Sequence, residues 1–265
     1  MTDKQHLLQT ILPIIEATAT FLREHVGGVR QSDVEVKHLN ALVSYVDRQA
    51  EEILVEGLSK AFPEAGFITE EETIVTERKT YNWIIDPLDG TTNYLHGIPV
   101  YAISVALECE GKVVLGVVCE AGKNEYYTAV RNEGAFLNGN PIRVSQKKQL
   151  ADTLIATGFP YYRFDRMDDF IETLTDCFRH TRGVRRIGTA ATDLAYTAVG
   201  RFDAYYEYGL SPWDVAAGSL IASEAGARVC DFSGGTNFLF GEEIVVMQPH
   251  ISDAFWELLA PLRKK

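Results

Sequence analysis

The chain has 265 residues, 46% of them hydrophobic, and a formal net charge of −12 from 25 basic and 37 acidic side chains. That length buries a substantial core, as one large domain or two intimate halves, and that composition excludes a disordered chain. The acidity argues against nucleic-acid and polybasic membrane binding, and it repels phosphorylated ligands unless a cation, most naturally a metal ion, intervenes.

Lys4–His25 reads as a helix, with Leu7, Leu8, Ile11, Leu12 and Ile15 at helical spacing around Pro13. It lacks the basic start and continuous apolar run of a signal peptide, and no later run reaches transmembrane length. A polar connection from Gly27 to about Asn40, carrying Glu35, Lys37 and His38, reads as a flap before a second helix, Ser44–Ala61. Strands are then expected at Gly66–Thr69, Tyr81–Ile85, Ala102–Glu108, Val113–Glu120 and Glu125–Val130, the last three as an antiparallel meander. From about Gln146 the pattern alternates. Strands are expected at Leu154–Thr157, Val184–Ile187, Ala204–Glu207, Ala227–Cys230 and Ile244–Met247. Helices are expected at Arg166–Arg179, Ala190–Val199, Pro212–Glu224 and Ser252–Arg263. The division predicts an N-terminal α+β half (1–145) with an antiparallel sheet and a C-terminal α/β half (146–265), packed as one unit. Cys109, Cys119, Cys177 and Cys230 form no C-x-x-C, as expected of reduced thiols in a cytoplasmic protein.

The chemistry concentrates in Trp83-Ile84-Ile85-Asp86-Pro87-Leu88-Asp89-Gly90-Thr91-Thr92-Asn93. An apolar strand ends in Asp86, and Pro87 turns the chain. Asp89 is a good cap for a following helix, and Gly90 lets backbone come close to a ligand. Two acids beside free N–H groups suit a divalent cation and a phosphate together. Taken alone, Asp-Pro-Leu-Asp-Gly is an ordinary turn. Three other segments also place acids at element ends: Gly66–Glu72 with Glu70, Gly209–Gly218 with Asp214, and Leu42–Asp47 with Asp47. Singly these read as caps or solvated turns; all four together point to a site.

Together these segments resemble the inositol monophosphatase family of magnesium-dependent, lithium-sensitive phosphatases, in particular its bacterial-type inositol-1-monophosphatases. Asp86–Thr92 and Trp213–Gly218 resemble the family's two signatures in the right order. The resemblance implies a layered α-β-α-β-α fold, the site where the halves meet, and a homodimer. It implies two to three Mg²⁺ ions: one on Glu70, Asp86 and the carbonyl of Leu88, a second on Asp86, Asp89 and Asp214, and a weaker third helped by Glu70. It further implies phosphate on the N–H groups of Gly90 and Thr91, and a water oriented by Thr91 with Asp47. Glu207 would accept substrate hydroxyls, and Gly188, Thr189, Ala190 and Ala191 would line the pocket beside Asp214. The implied reaction is hydrolysis of inositol monophosphate, or a related sugar or polyol phosphate, by direct attack of metal-activated water. Hard oxygen ligands suit Mg²⁺ on independent grounds. Thr69 stands where a Gly is usual and Leu88 where an Ile is usual, and Lys37-His38-Leu39-Asn40-Ala41 departs from the common flap pattern.

Relatives acting on 3′-phosphoadenosine 5′-phosphate commonly carry Asp-Gly-Thr-Lys-Glu, whereas here Asp89-Gly90-Thr91-Thr92-Asn93 favours the monophosphatase branch. Histidinol phosphate and fructose 1,6-bisphosphate stay open as substrates. A regulatory partner of the transcription machinery that keeps the fold is the other class. Arg182, Arg185 and Arg186 would be its basic surface, against the plainer reading of a salt-bridged or dimer surface. The chain has no G-x-S-x-G, Walker A or H-E-x-x-H motif, and His96 and Tyr161-Tyr162 read as structural.

Overall fold

The structure, a computed structural model, describes residues 3–28, 34–38, 41–160 and 164–263, with the backbone alone for 34–38 and 41–43. In chain order the elements are α1 (Lys4–His25), β1 (Val34–His38), β2 (Ala41–Ser44), α2 (Tyr45–Ala61), β3 (Gly66–Thr69), β4 (Tyr81–Asp89), α3 (Thr91–Leu95), β5 (Ala102–Cys109), β6 (Lys112–Glu120), β7 (Glu125–Val130), β8 (Ala135–Leu137) and β9 (Asn140–Pro141). Then follow β10 (Leu154–Thr157), α4 (Met167–His180), β11 (Gly183–Arg185), α5 (Ala190–Ala198), β12 (Ala204–Tyr208), α6 (Pro212–Glu224), β13 (Arg228–Cys230), β14 (Glu243–Met247), α7 (Ser252–Leu258) and α8 (Ala260–Arg263). Among the described residues the strands form a hairpin, β1-β2, a seven-stranded sheet running in order from β3 to β9, and a five-stranded sheet of order β11-β10-β12-β14-β13. Both sheets are mixed: β3 runs parallel to β4 beside the antiparallel meander, and β10 runs parallel to β11 and β12.

Layering follows from the pleat, which sends successive side chains to opposite faces. Trp83 and Ile85 of β4 pack with Val105, Leu107 and Leu115 against Ile11, Ile15, Leu54 and Leu58 of α1 and α2. Ile84, between them, points the other way with Ala102, Ala106 and Val118, and meets Leu194 of α5 and Ala216, Ala217 and Leu220 of α6. Tyr205, Ile244 and Val246 of the second sheet close on the same two helices, while Ile155, Tyr206, Val245 and Met247 face outward onto Phe170, Phe255 and Leu262. The order is therefore helices, sheet, helices, sheet, helices, which is the expected layered α/β architecture. A helix between two sheets must be apolar all round, and α6 is buried from Val215 to Ala222. Small residues let it lie close: a Cβ on Gly116 of β6 would stand 3.0 Å from the Ala217 carbonyl oxygen.

Some boundaries differ from expectation. The connection before α2 contains the β1-β2 hairpin, while Leu39 and Asn40 lie outside the described residues. The last helix divides into α7 and α8 next to Pro261, which has no N–H to continue the ladder. Tyr161 and Tyr162 also lie outside the described residues. Among those described, no helix is long and apolar enough to cross a membrane.

Candidate active site

β4 is buried from Asn82 to Leu88 and ends in a bulge. Asp86 pairs with Ser104 and Asp89 with Ala102, so Pro87 and Leu88 together oppose Ile103 alone. Without that extra residue, side chains three apart would point to opposite faces; with it, Asp86 and Asp89 come to the same side. Pro87 suits the position because it has no N–H to contribute to the ladder. Opposite Asp86, the Ser104 hydroxyl donates to the Trp213 carbonyl at 2.9 Å, which fixes the start of α6 and hence Asp214 beside β4. Glu70 follows β3 directly, its N–H bonded to the Ile85 carbonyl.

Each acid has a defined local anchor. Asp86 Oδ1 accepts from the Leu88 N–H at 2.9 Å. Asp214 is the third residue of α6, and its Oδ2 accepts from the Ser211 N–H at 2.6 Å, half of a capping box. Asp47 repeats the device in α2, its Oδ2 accepting from the Ser44 N–H at 2.8 Å and the Ser44 hydroxyl at 2.7 Å. Its other oxygen stands 3.0 Å from the Thr91 hydroxyl, which also lies 3.1 Å from the Leu88 carbonyl, so one proton serves one acceptor at a time. Asp89 departs from expectation. It does not cap α3, whose N-cap is Gly90 in the left-handed region at φ 92. Because the bulge turns its side chain inward, Asp89 Oδ2 accepts from the Thr189 hydroxyl and from the Ala191 N–H at 2.7 Å, capping α5 instead. A Cβ on Gly90 would lie 3.2 Å from the Val100 carbonyl oxygen, in addition to the cost of its positive φ.

Burial and mutual repulsion shape the electrostatics of these carboxyls. Burial, then the neighbouring carboxyls of Glu70, Asp89 and Asp214, hold the Asp86 carboxyl well above the usual range. Burial, then Asp89 and Glu70, raise Asp214 likewise. Burial raises Asp89 to about 6 against the pull of Thr189, Ala191 and Arg186. Burial also raises Asp47. Each shift is a repulsion or desolvation that a bound cation relieves, and all the donors are hard oxygens. As placed, no three acidic, His or Cys side chains among the described residues form a closed ligand cage. Glu70, Asp86, Asp89 and Asp214 are nevertheless near enough to perturb one another strongly, so the donor set fits a divalent ion that draws the carboxylates together.

Beside the acids lies the wall expected to hold a substrate. Glu207, at the end of β12, receives the Tyr205 hydroxyl, and burial raises its carboxyl to about 7. Gly158 lies directly beneath it. Thr189 caps α5 and Ala190 begins it, both buried. Sequence reasoning did not single out Asp193, whose buried carboxyl is raised by burial, Glu207 and Asp89 and whose Oδ1 finds no hydrogen-bond partner among the described residues. An acid within the small-residue run Ala190–Ala198 was the available signal. The basic cluster does not form one patch. Arg182 pairs with Asp152 at 2.8 Å on the surface, whereas Arg186 turns inward over the Phe159 ring, in the field of Asp89, Asp193 and Glu207. His96 is an exposed C-cap of α3, Lys37 lies in β1, and a separate apolar cavity of about 590 Å³ between α1 and β7–β8 contains none of this chemistry.

A sequence model described as the inositol monophosphatase family matches residues 3–264. An inositol-1-monophosphatase of Mesorhizobium japonicum is 42% identical over 240 residues, covering 90% of each chain. A Nus factor SuhB of Pseudomonas aeruginosa is 40% identical over 264 residues, covering 93% of this chain and 97% of the other. The crystal structure of the extragenic suppressor protein suhB from Bartonella henselae superposes with a TM-score of 0.91 at 39% identity, covering 96% of this chain and 98% of that one.

Proposed function

The chain belongs to the inositol monophosphatase family, and from that premise we propose that it is a Mg²⁺-dependent phosphomonoesterase acting on myo-inositol 1-phosphate or a closely related polyol phosphate. The observation that carries the reading is the β4 bulge, which turns Asp86 and Asp89 to one side against Glu70 and Asp214. Glu70, Asp86, the Leu88 carbonyl, Asp89 and Asp214 would hold two to three Mg²⁺ ions. Bound there, the ions supply charge neutralisation of the phosphate and a lowered pKa for attacking water. The N–H groups of Gly90 and Thr91 receive the phosphate. The Thr91 hydroxyl, held by Asp47, orients the water, and Asp47 takes up proton density passed through that hydroxyl. Glu207 accepts hydrogen bonds from the leaving polyol, while Thr189, Ala190 and Asp214 shape the space around it. Most of the acceleration comes from positioning and neutralisation rather than from a covalent intermediate.

Acidic Asp193 and Glu207 beside a single inward arginine suit neutral hydroxyl groups better than a second phosphate, which ranks fructose 1,6-bisphosphate and 3′-phosphoadenosine 5′-phosphate below inositol phosphate. A homodimer accompanies this reading. A second reading, a partner role in transcription, rests on the relatives named Nus factor SuhB; the intact set of acids speaks for catalysis beside any such role. The test is phosphate release from inositol 1-phosphate, histidinol phosphate, fructose 1,6-bisphosphate and 3′-phosphoadenosine 5′-phosphate, with and without Mg²⁺, and with Asp86→Asn as control. Mg²⁺-dependent release from the first ester, lost in the variant, supports the proposal; no release from any ester, or an active Asp86→Asn protein, overturns it.

A further inference from the structure

The buried carboxylate of Glu51 lies outside the acid cluster yet touches its edge. Glu51 sits on α2 four residues after Asp47, so both project from one face of the helix. It is 0% exposed. Its Oε2 accepts from the Glu71 N–H at 2.8 Å, and its Oε1 accepts from the Thr73 N–H at 2.8 Å and the Thr73 hydroxyl at 2.7 Å. All three donors belong to one turn, immediately after Glu70. The middle residue of that turn, Glu72, has φ 51, a left-handed conformation that a non-glycine residue adopts only when its surroundings hold it there. Glu70 is thereby pinned from both sides, by its own N–H on the Ile85 carbonyl and by the next N–H on Glu51.

We propose that Glu51 is a positioning residue for metal binding: it holds the Glu71–Thr73 turn so that Glu70 presents its carboxyl to Asp86. α2 would then serve the site twice, setting Thr91 through Asp47 and Glu70 through Glu51, one helical turn apart. The proposal rests on the assignment of Glu70 as a metal ligand. Glu51 touches neither metal nor substrate, so its removal weakens Mg²⁺ binding and leaves ester binding alone.

The experiment titrates full-length protein with Mg²⁺ alone, following the midpoint of thermal stabilisation, and in parallel follows the Mg²⁺ dependence of p-nitrophenyl phosphate hydrolysis. In Glu51→Gln the amide nitrogen faces N–H donors, and the midpoint should rise about tenfold in both readouts. KM for the ester at saturating Mg²⁺ should stay within about twofold. Thr73→Val, which removes one of the three hydrogen bonds, should shift the midpoint about two- to threefold in the same direction, and it decides the matter if Glu51→Gln does not fold. Leu54→Ala, a core truncation on the same helix, should lower metal-free stability without moving the midpoint. Midpoints in Glu51→Gln and Thr73→Val no different from that of Leu54→Ala would reduce Glu51 to a structural residue and overturn the proposal. A wild-type midpoint in Glu70→Gln would instead remove the assignment of Glu70 as a ligand, a failure visible separately.

Discussion

Gly158→Ala tests the substrate wall without altering any group that reacts. A Cβ built there would stand 1.9 Å from Glu207 Cδ, whereas carbon atoms in contact rest about 3.5–4.0 Å apart. The carboxyl must therefore retreat by about 2 Å, which breaks its bond from Tyr205 and takes it out of reach of a substrate hydroxyl. The obstacle is the far end of a flexible side chain rather than backbone, so the fold absorbs the change. A hydrogen bond to a charged group is worth about 1.5–3 kcal/mol, so kcat/KM for inositol 1-phosphate should fall about ten- to a hundredfold. p-Nitrophenyl phosphate offers no hydroxyl to Glu207, and its kcat/KM should change less than about threefold. Steady-state kinetics on both esters at saturating Mg²⁺ make the comparison, with Glu207→Gln as reference. Equal losses on both esters, or none on either, would refute the placement of Glu207 as the hydroxyl acceptor.

Asp86→Asn should abolish hydrolysis yet raise metal-free stability by about 1 kcal/mol, because it replaces a carboxyl whose ionised form is opposed by burial and by Glu70, Asp89 and Asp214; denaturant melts in EDTA measure this, and a destabilised variant contradicts it. Gly116→Ala should cost about 1–3 kcal/mol, since its methyl meets the Ala217 backbone at the α6 contact, and an unchanged urea midpoint would show that α6 yields freely. Glu125 is held below the ordinary carboxylate range, chiefly by hydrogen bonding to Arg201. A folded-state pKa below the unfolded value contributes stability above the ordinary value of 4.5 and loses it as pH falls through the folded one. Glu125→Gln should therefore flatten the stability curve below about pH 4.5 while lowering the plateau above it; parallel curves in the acid range would rule the pair out as a contributor.

The sequence carried the acids themselves, because each stands where an apolar run stops: Asp86 after Ile84-Ile85, Glu70 after Phe67-Ile68, Asp214 at the start of α6. Periodicity also marked most helices and strands. What it could not carry was direction. The bulge at Pro87-Leu88 is a property of the β4-β5 pairing, so nothing local says that Asp89 turns inward to cap α5 rather than α3. Glu51 and Asp193 read as ordinary helix residues until the turn after β3 and the end of β12 are brought against them. Arg186 likewise looked like part of a surface cluster beside Arg182, and only the fold separates an exposed ion pair from an inward guanidinium.

The placement of α6 between the two sheets also governs the order in which the chain becomes safe from aggregation. The inner face of β4, β5 and β6, formed by Ile84, Ala102, Ala106 and Val118, is covered by Ala216, Ala217 and Leu220, residues synthesised far later. During translation that apolar face waits uncovered while the intervening chain emerges, the situation in which partly folded chains associate. Asp214 arrives in the same event, on the same helix. The acid cluster is thus completed when the hydrophobic face is closed, and a chain truncated before α6 lacks Asp214 and leaves Ile84, Ala102, Ala106 and Val118 without their cover from α6.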